Sequence, residues 1–546
     1  MTASRTTARL LLAARNLPIA ASVVRRHLAR GRGHTASIGA RVLPGVAGPL
    51  TRLVTTSGRG PAYAEAQTAY AAGELSRAHE HAIRAGRSGD RLREHLAGEL
   101  SVLSTAPQTS APERPLHPGT PEPTPSVLHL VTNSLPHSVA GYTTRTQGLL
   151  AAQRAAGTDA RAATRIGYPV TRGHLAVPAV EYVDDVPYHR ILTTVPLRAD
   201  RALAKDVERT ARLVERMRPA VLHAHSNHLN ARVALALRER FDLPVVYEVR
   251  GFLEETERSR RGPDALPNER QRLSRAVETH CMREADAVLT ISEVMREAIV
   301  ARGIPAAKVH VVPNSVGDQF VAPGLDTLAG ARYSTTEKQE ARWSSAAEAR
   351  GGVSRPVTVG AVGTLNDYEG LGVLIDAVAL LPPGTARLLL VGDGPARTAL
   401  QARARAAGID AEFTGRVSPD RVVAQHQRID IYATPRLDLP VTRLVPPIKP
   451  VEALALGRPV VASDLPPLRE LVRDGHNGRL VRAGDAHALA DVLAELAAAP
   501  DVRRRLGANG RADVLAHRTW ERAAQTCARL YDEIRTGTCL IEGVTS

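Results

Sequence analysis

Residues 444–472 read LVPPIKPVEALALGRPVVASDLPPLRELV, which parses as loop, helix, strand, loop and helix. Pro446, Pro447 and Pro450 stiffen the approach, and Pro450 suits a first helical turn, where its missing N–H would have no partner anyway. Gly457 ends the short helix, and RPVVAS is an apolar run of the kind a buried parallel strand uses. The helix start aims unpaired N–H groups and a positive dipole end at one spot, with Lys449 beside it and Glu452 one turn in. Such a corner suits an anion, with a carboxylate placed to accept hydrogen bonds from hydroxyls. A nucleoside diphosphate brings both. Read from the residues alone, an αβ unit with a solvated Lys and Glu is the open alternative.

Around this stretch lies a chain of 546 residues, too long for one ordinary domain. Its hydrophobic (43%) and charged (23%) fractions are those of a globular protein. The Ala, Arg and Gly excess fits a high-GC bacterial proteome and says nothing of function. Cys281, Cys527 and Cys539 form no CxxC, so neither a disulfide framework nor a zinc site is expected, and the compartment reads as reducing. Of the net charge of +15, ten arginines lie at or before Arg59, where no Asp or Glu occurs. A basic tail on a near-balanced body points to an anionic surface rather than to nucleic acid. ARLLLAARNLPIAASVV is interrupted by Arg15, Asn16 and Pro18, falls short of the ~20 apolar residues a membrane span needs, and precedes no good cleavage site. The expectation is a cytoplasmic protein. Residues 1–60 would form short basic amphipathic helices touching the inner membrane face through Leu10, Leu11, Leu12, Ile19, Val23 and Val24, or else a disordered tail.

Residues 61–104 show Ala and aromatic residues at helical spacing on either side of Gly73, as in a single tetratricopeptide-type helical hairpin. One such repeat cannot bury its own apolar face, so it is expected to pack on something else. Residues 105–125 form a Pro-rich linker. A first Rossmann-like domain spans 126–321. Strand Val127–Thr132 leads into a loop and a helix from about Tyr142, and Gly141 lets backbone approach whatever binds there. The absence of GxGxxG argues against a nicotinamide or flavin oxidoreductase. Strand Ala220–His225 ends in polar residues. His225 is the sharper candidate, His223 is read as alternating to a different face, and His228 falls in the loop. Glu248 and Arg250 sit in an apolar strand, either as an ion pair or with Arg250 facing acceptor or phosphate. Strands Ala287–Ile291 and Val309–Val312 come next, and residues 322–355 connect to a second Rossmann-like domain, 356–518. There strand Val357–Val362 meets Gly363 and a helix from about Gly370. Asp393 reads as a turn former. Residues 519–546 hold a closing helix and tail.

KPVEALALGRPVVASDLPPLRELVRDGHNGRLV resembles the donor-binding segment of family 4 glycosyltransferases, retaining enzymes of the GT-B fold; YEVRGF (247–252) and PNSV (313–316) fit the same family. The resemblance covers residues ~126–535. It implies an α/β protein with two Rossmann-like domains facing a cleft, behind an amino-terminal basic and helical extension. It further implies transfer of a hexose-type sugar from a nucleotide-diphosphate donor to the hydroxyl of a carbohydrate or lipid-linked acceptor, in surface polysaccharide or glycolipid synthesis. Glu452 would bind the donor ribose. His225, with Lys449 and Arg250, would lie at the reacting centre. The loop with Gly141 would face the donor phosphates, with Tyr142, Arg145 and Glu248 on the acceptor side, and the backbone at Arg416 and Val417 would meet the base. The closing helix would cross back onto the first domain.

Three departures from the family pattern stand out. Thr364 follows Gly363 where an Arg is usual, Glu369 stands where a Lys is usual, and Leu444, eight residues before Glu452, replaces the first Glu of a two-glutamate motif. Arg436, Arg443 and Lys449 are the expected compensation, since a diphosphate needs cationic partners. A branch of the family with YEGL and LKPLEA-like strings carries these changes together. No DxD motif stands at a strand end, so no metal is expected, and Lys449, Arg436 and helix N-termini would meet the leaving charge. The rival readings are a GT-B-fold epimerase and a non-catalytic scaffold.

Overall fold

The structure, a computed structural model, describes residues 2–30, 60–104, 126–322 and 355–536. The Pro-rich linker, most of the interdomain connection, residues 31–59 and Cys539 lie outside the described residues. The chain divides into two compact units. One comprises residues 1–291, 295–312 and 524–546, and the other 292–294 and 313–523.

The first unit is built on eight strands: β1 (Ser126–Val131), β2 (Asp159–Thr164), β3 (Val180–Val183), β4 (Val186–Arg190), β5 (Val221–His225), β6 (Val245–Val249), β7 (Ala287–Thr290) and β8 (Val309–Val311). Their order is β3-β4-β2-β1-β5-β6-β7-β8, and only β3 runs antiparallel to its neighbour. β1, β5, β6 and β7 are apolar along nearly their whole length because both faces of a parallel sheet are covered. Register sets the few polar residues of these strands side by side. His129 pairs with His223 across β1 and β5, and His225 pairs with Glu248 across β5 and β6.

The second unit carries six parallel strands, β9 (Val357–Val362), β10 (Ala386–Val391), β11 (Ala411–Gly415), β12 (Ile431–Thr434), β13 (Val460–Ser463) and β14 (Gly478–Val481), in the order β11-β10-β9-β12-β13-β14. Val359, Leu388, Leu390, Ile431 and Val461 fill one core layer with Leu493 and Leu496 of the helix Ala486–Ala498. The chain leaves this unit in the helix Trp520–Thr536, whose residues from Ala524 onward belong to the first unit.

The extension differs from its reading in two ways. Residues 61–104 hold three helices, Pro61–Ala72, Leu75–Arg84 and Asp90–Leu103, rather than a two-helix hairpin. Gly73 turns the first pair at φ 81°, and a Cβ there would sit 2.1 Å from Asn268 Nδ2. That close approach is used: Asn268 Nδ2 donates to Ala72 O (2.8 Å) and Arg270 N to Gly73 O (2.9 Å), while Ser76 N donates to Glu269 Oε2 (2.8 Å). The turn between the first two helices is thus tied to the start of the helix Glu269–Glu284.

Residues 2–30 form one long helix in place of several short ones. Ile19 and Val23, expected to meet a membrane, are buried in the first unit, Ile19 with Val170 and Val23 with Ile166, Val195 and Ala202. Asn16 Nδ2 donates to Leu175 O (2.7 Å), and Ser22 Oγ accepts from Val195 N (2.9 Å), which pins the same face. Leu10 and Leu11 stay outward, 66% and 67% exposed. Among the described residues no helix is long and apolar enough to cross a membrane.

Candidate active site

In the first unit the strand register gathers a buried polar cluster. Glu248 is fully buried and accepts from two guanidinium groups. Arg145 Nε and Nη2 reach its Oε1 at 2.9 and 2.6 Å, and Arg250 Nε reaches its Oε2 at 2.7 Å. Burial alone would raise this carboxyl. Arg145 and Arg250, helped by His223 and His225, outweigh it and hold Glu248 well below the usual carboxylate range. His225 Nδ1 stands 3.0 Å from Glu248 Oε2, and His225 Nε2 stands 2.8 Å from His129 Nδ1. His129 Nε2 meets Gln153 Oε1 (2.9 Å); Gln153 Nε2 donates to the Tyr531 hydroxyl (2.9 Å), which lies 2.6 Å from His223 Nδ1. Burial pushes all three imidazoles down, and the Glu248 carboxylate opposes it at each of them.

These contacts correct several sequence expectations. Arg145, expected on the acceptor side, is not at the surface; it is 1% exposed and also donates to Val312 O (2.7 Å), because a guanidinium inside an α/β core must spend its donors on buried acceptors. Glu248 faces no acceptor, since four side chains surround it. Arg250 resolves as the ion pair, with Nη1 donating to Thr146 Oγ1 (2.7 Å) and Tyr142 O (3.0 Å). His223 shares its face with His225, as residues two apart on a strand must, and their rings stack at 4.6 Å. His225 itself is 2% exposed, with Nε2 against His129 and Nδ1 near Glu248 but without a hydrogen bond, so its ring belongs to this network and is not turned outward. Tyr142 does sit at the surface, 44% exposed, with its hydroxyl accepting from Asn133 Nδ2 (2.9 Å), and Gly141 opens its helix. His129, Gln153 and Tyr531 escaped the sequence reading. A His inside VLHLV was the available signal, because a lone polar group in a buried strand needs a partner.

In the second unit the helix Lys449–Ala455 places Pro450 in its first turn. Glu452 is 2% exposed; Lys449 Nζ donates to both its oxygens (2.8 and 2.9 Å), and His426 Nε2 lies 3.1 Å from Oε2. Burial would raise this carboxyl too, but Lys449 foremost, then His426, holds it down. Lys449 keeps a quarter of its side chain exposed. Gly363, at φ 156°, runs against it, and a Cβ there would lie 3.9 Å from Lys449 Cγ. Thr364 beyond it is exposed.

The unusual Glu369 has a direct structural reason. Arg436 grips it with Nε and Nη2 at 2.9 and 2.8 Å and donates Nη1 to Val445 O (2.8 Å). Gly370 (φ 68°) lets this turn pack, since a Cβ would sit 1.8 Å from Pro435 O. Arg436 is therefore consumed by an internal pair rather than offered to a phosphate. Arg443 is likewise paired, with Asp438 at 2.5 Å on the surface. Arg416 is exposed, and Val417 leans on the core beside it. All three cations expected to face a diphosphate are paired within the unit, Arg436 with Glu369, Arg443 with Asp438 and Lys449 with Glu452.

Residues 140–315 match the family described as "Glycosyl transferase 4-like domain", and residues 356–499 match "Glycosyl transferases group 1". Two parallel-sheet α/β units, each carrying one of these glycosyltransferase domains, define a GT-B glycosyltransferase fold. The phosphatidyl-myo-inositol mannosyltransferase of Mycobacterium leprae is 35% identical over 176 residues, 31% of this chain and 44% of that protein. The alpha-D-kanosaminyltransferase of Streptomyces kanamyceticus is 26% identical over 267 residues, 48% of this chain and 64% of that one. The chain thus spans less than two thirds of the length of these two relatives. Among solved structures, the sucrose-phosphate synthase of Thermosynechococcus elongatus superposes with TM-score 0.58 at 21% identity, over 76% of this chain and all of that one. The starch synthase IV catalytic domain of Arabidopsis thaliana gives TM-score 0.57 at 14% identity, over 76% of this chain and all of that one.

Proposed function

We propose that this chain moves a hexose-type sugar from a nucleotide-diphosphate donor to a hydroxyl acceptor, with retention at the anomeric carbon, in surface polysaccharide or glycolipid synthesis. The observation that carries the reading is the buried Lys449–Glu452–His426 group on the proline-led helix, inside the segment that matches the group 1 family. Glu452, held ionised, accepts from ribose hydroxyls; the exposed end of Lys449 meets the diphosphate. The acceptor oxygen bonds to the anomeric carbon as the bond to phosphate oxygen breaks, and the acceptor proton passes to the departing diphosphate. His225, held between Glu248 and His129, acts from behind the surface of the first unit as a positioning residue. The reaction as proposed uses no metal, since the sequence has no DxD at a strand end and Lys449 supplies the positive charge. The family matches favour this over an epimerase or a scaffold. Incubation with a panel of nucleotide sugars, alone and with hydroxyl acceptors, tests it. Acceptor-dependent release of nucleoside diphosphate is the expected result. Epimerised sugar without acceptor, or no nucleotide binding at millimolar concentration, would sink it.

We further place the protein at the cytoplasmic face of the inner membrane, held by the outward side of its first helix. Leu10 and Leu11 with Arg9 and Arg15 supply the apolar and basic contacts, while Ile19 and Val23 anchor the helix to the first unit. Leu10→Asp with Leu11→Asp is expected to abolish flotation with anionic liposomes, and unchanged flotation would remove the idea.

A further inference from the structure

A cavity of about 1060 Å³ lies within the first unit. Its floor comes from residues that succeed three parallel strands: Thr132 and Asn133 after β1, Arg165 after β2, Asn227 and His228 after β5. That edge is where open α/β sheets take ligands. Its roof comes from the extension: Val23 and Arg26 of the helix Thr2–Arg30, Gln67 and Tyr70 of Pro61–Ala72, Glu99 of Asp90–Leu103. All of these precede residue 140, where the family match begins.

We propose that the amino-terminal extension completes the acceptor site, and that the acceptor is a short neutral oligosaccharide. The proposal rests on the sugar-transfer reading of the two units. Size supports it first. The cavity sits at the top of the roughly 300–1,000 Å³ range of small-ligand pockets, which is more room than one sugar ring requires.

Charge supports it next. Five arginines and five carboxylates line the walls, so the formal charges balance; among them Arg270 Nε donates to Glu99 Oε1 (2.9 Å), and Glu278 Oε1 lies 3.2 Å from His228 Nδ1. The walls carry no surplus positive charge for a phosphate. A sugar hydroxyl both donates and accepts, so walls that mix guanidinium donors with carboxylate acceptors complement it. Val23, Ile166 and Leu203 give apolar patches for the C–H faces of sugar rings. A lipid chain would instead strip water from ten charged side chains.

Rigidity points the same way. The Tyr70 hydroxyl donates to Glu99 Oε2 (3.1 Å) and lies 3.0 Å from His95 Nε2, and the Arg270 guanidinium covers the Tyr70 ring at 4.6 Å. The roof is thereby preorganised, which lowers the ordering cost of binding. Asn230 Nδ2 ties the floor to the candidate site, donating both to Thr132 Oγ1 (3.0 Å) and to His225 O (2.7 Å).

The test uses the full chain and two ligand sets in calorimetry: UDP, GDP and ADP, and neutral methyl glycosides of di- and trisaccharides with their phosphorylated counterparts. Gln67→Trp fills the roof and Arg26→Ala removes a wall donor. Both are expected to weaken saccharide binding at least tenfold and to leave nucleotide affinity within twofold. An unchanged thermal unfolding profile certifies the fold of each variant, and retained nucleotide binding shows that the second unit is intact. Saccharide affinity unchanged in both variants, no saccharide bound by the wild type, or a phosphorylated saccharide bound tenfold more tightly than its neutral form would each overturn the proposal. Saccharide bound without any nucleotide would keep the pocket and overturn the transferase reading instead.

Discussion

Replacing Glu248 by alanine is expected to cost roughly 3–5 kcal/mol, the scale of removing one partner from a buried ion pair. The substitution leaves Arg145 and Arg250 buried with no carboxylate between them, and it frees His225 from its 3.0 Å contact. The first calorimetric transition should fall in temperature. Glu248→Gln should fall nearly as far, because the amide keeps the shape but not the charge. Arg250→Met should fall less, since Arg145 still neutralises the carboxylate. The pH dependence has a definite sign. The folded Glu248 titrates below its unfolded value, so its stabilisation is present above the ordinary carboxylate range and is lost as pH falls through and below it. Glu248→Gln should flatten that acid limb. A wild-type transition temperature in Glu248→Ala would show that the cluster carries no stability.

The second large effect concerns Lys449 and Glu452, which should separate by what they hold. Lys449→Ala is expected to lower kcat by roughly 10²-fold, the scale of losing one preorganised contact to developing charge. Glu452→Ala should chiefly raise the donor KM. Binding distinguishes the roles without turnover. The Lys449 variant should lose affinity for a nucleoside diphosphate but not for the nucleoside, whereas the Glu452 variant should lose both alike. Because Lys449 bonds both Glu452 oxygens, the double variant should be non-additive. Wild-type turnover of Lys449→Ala would take that residue out of the site.

Glu369 shows how a departure from a family pattern can be self-consistent. A carboxylate where a lysine is usual would repel a diphosphate, yet here it is neutralised within its own unit by Arg436. Glu369→Ala therefore cannot be equated with restoring the family's charge, because it releases Arg436 at the same time.

The sequence by itself determined the two Rossmann-like units and the helix that carries Lys449 and Glu452. Apolar strand runs, proline and glycine punctuation and a thirty-residue motif are local signals, read from neighbours along the chain. It also signalled that 61–104 needed a surface to pack on. Tertiary structure decided what those residues do to one another. Whether Arg145 faces an acceptor or locks Glu248 depends on the register that sets β1, β5 and β6 side by side, and on a carbonyl at Val312, 167 residues away. Ile19 and Val23 present the same apolar face to a membrane or to Val170, Ile166 and Val195, and composition cannot distinguish the two. Arg436 looked like a phosphate ligand until a glycine turn brought Glu369 within 2.8 Å of it. Buried charges choose the nearest opposite charge in space, and that choice is made by the fold, not by the order of the chain.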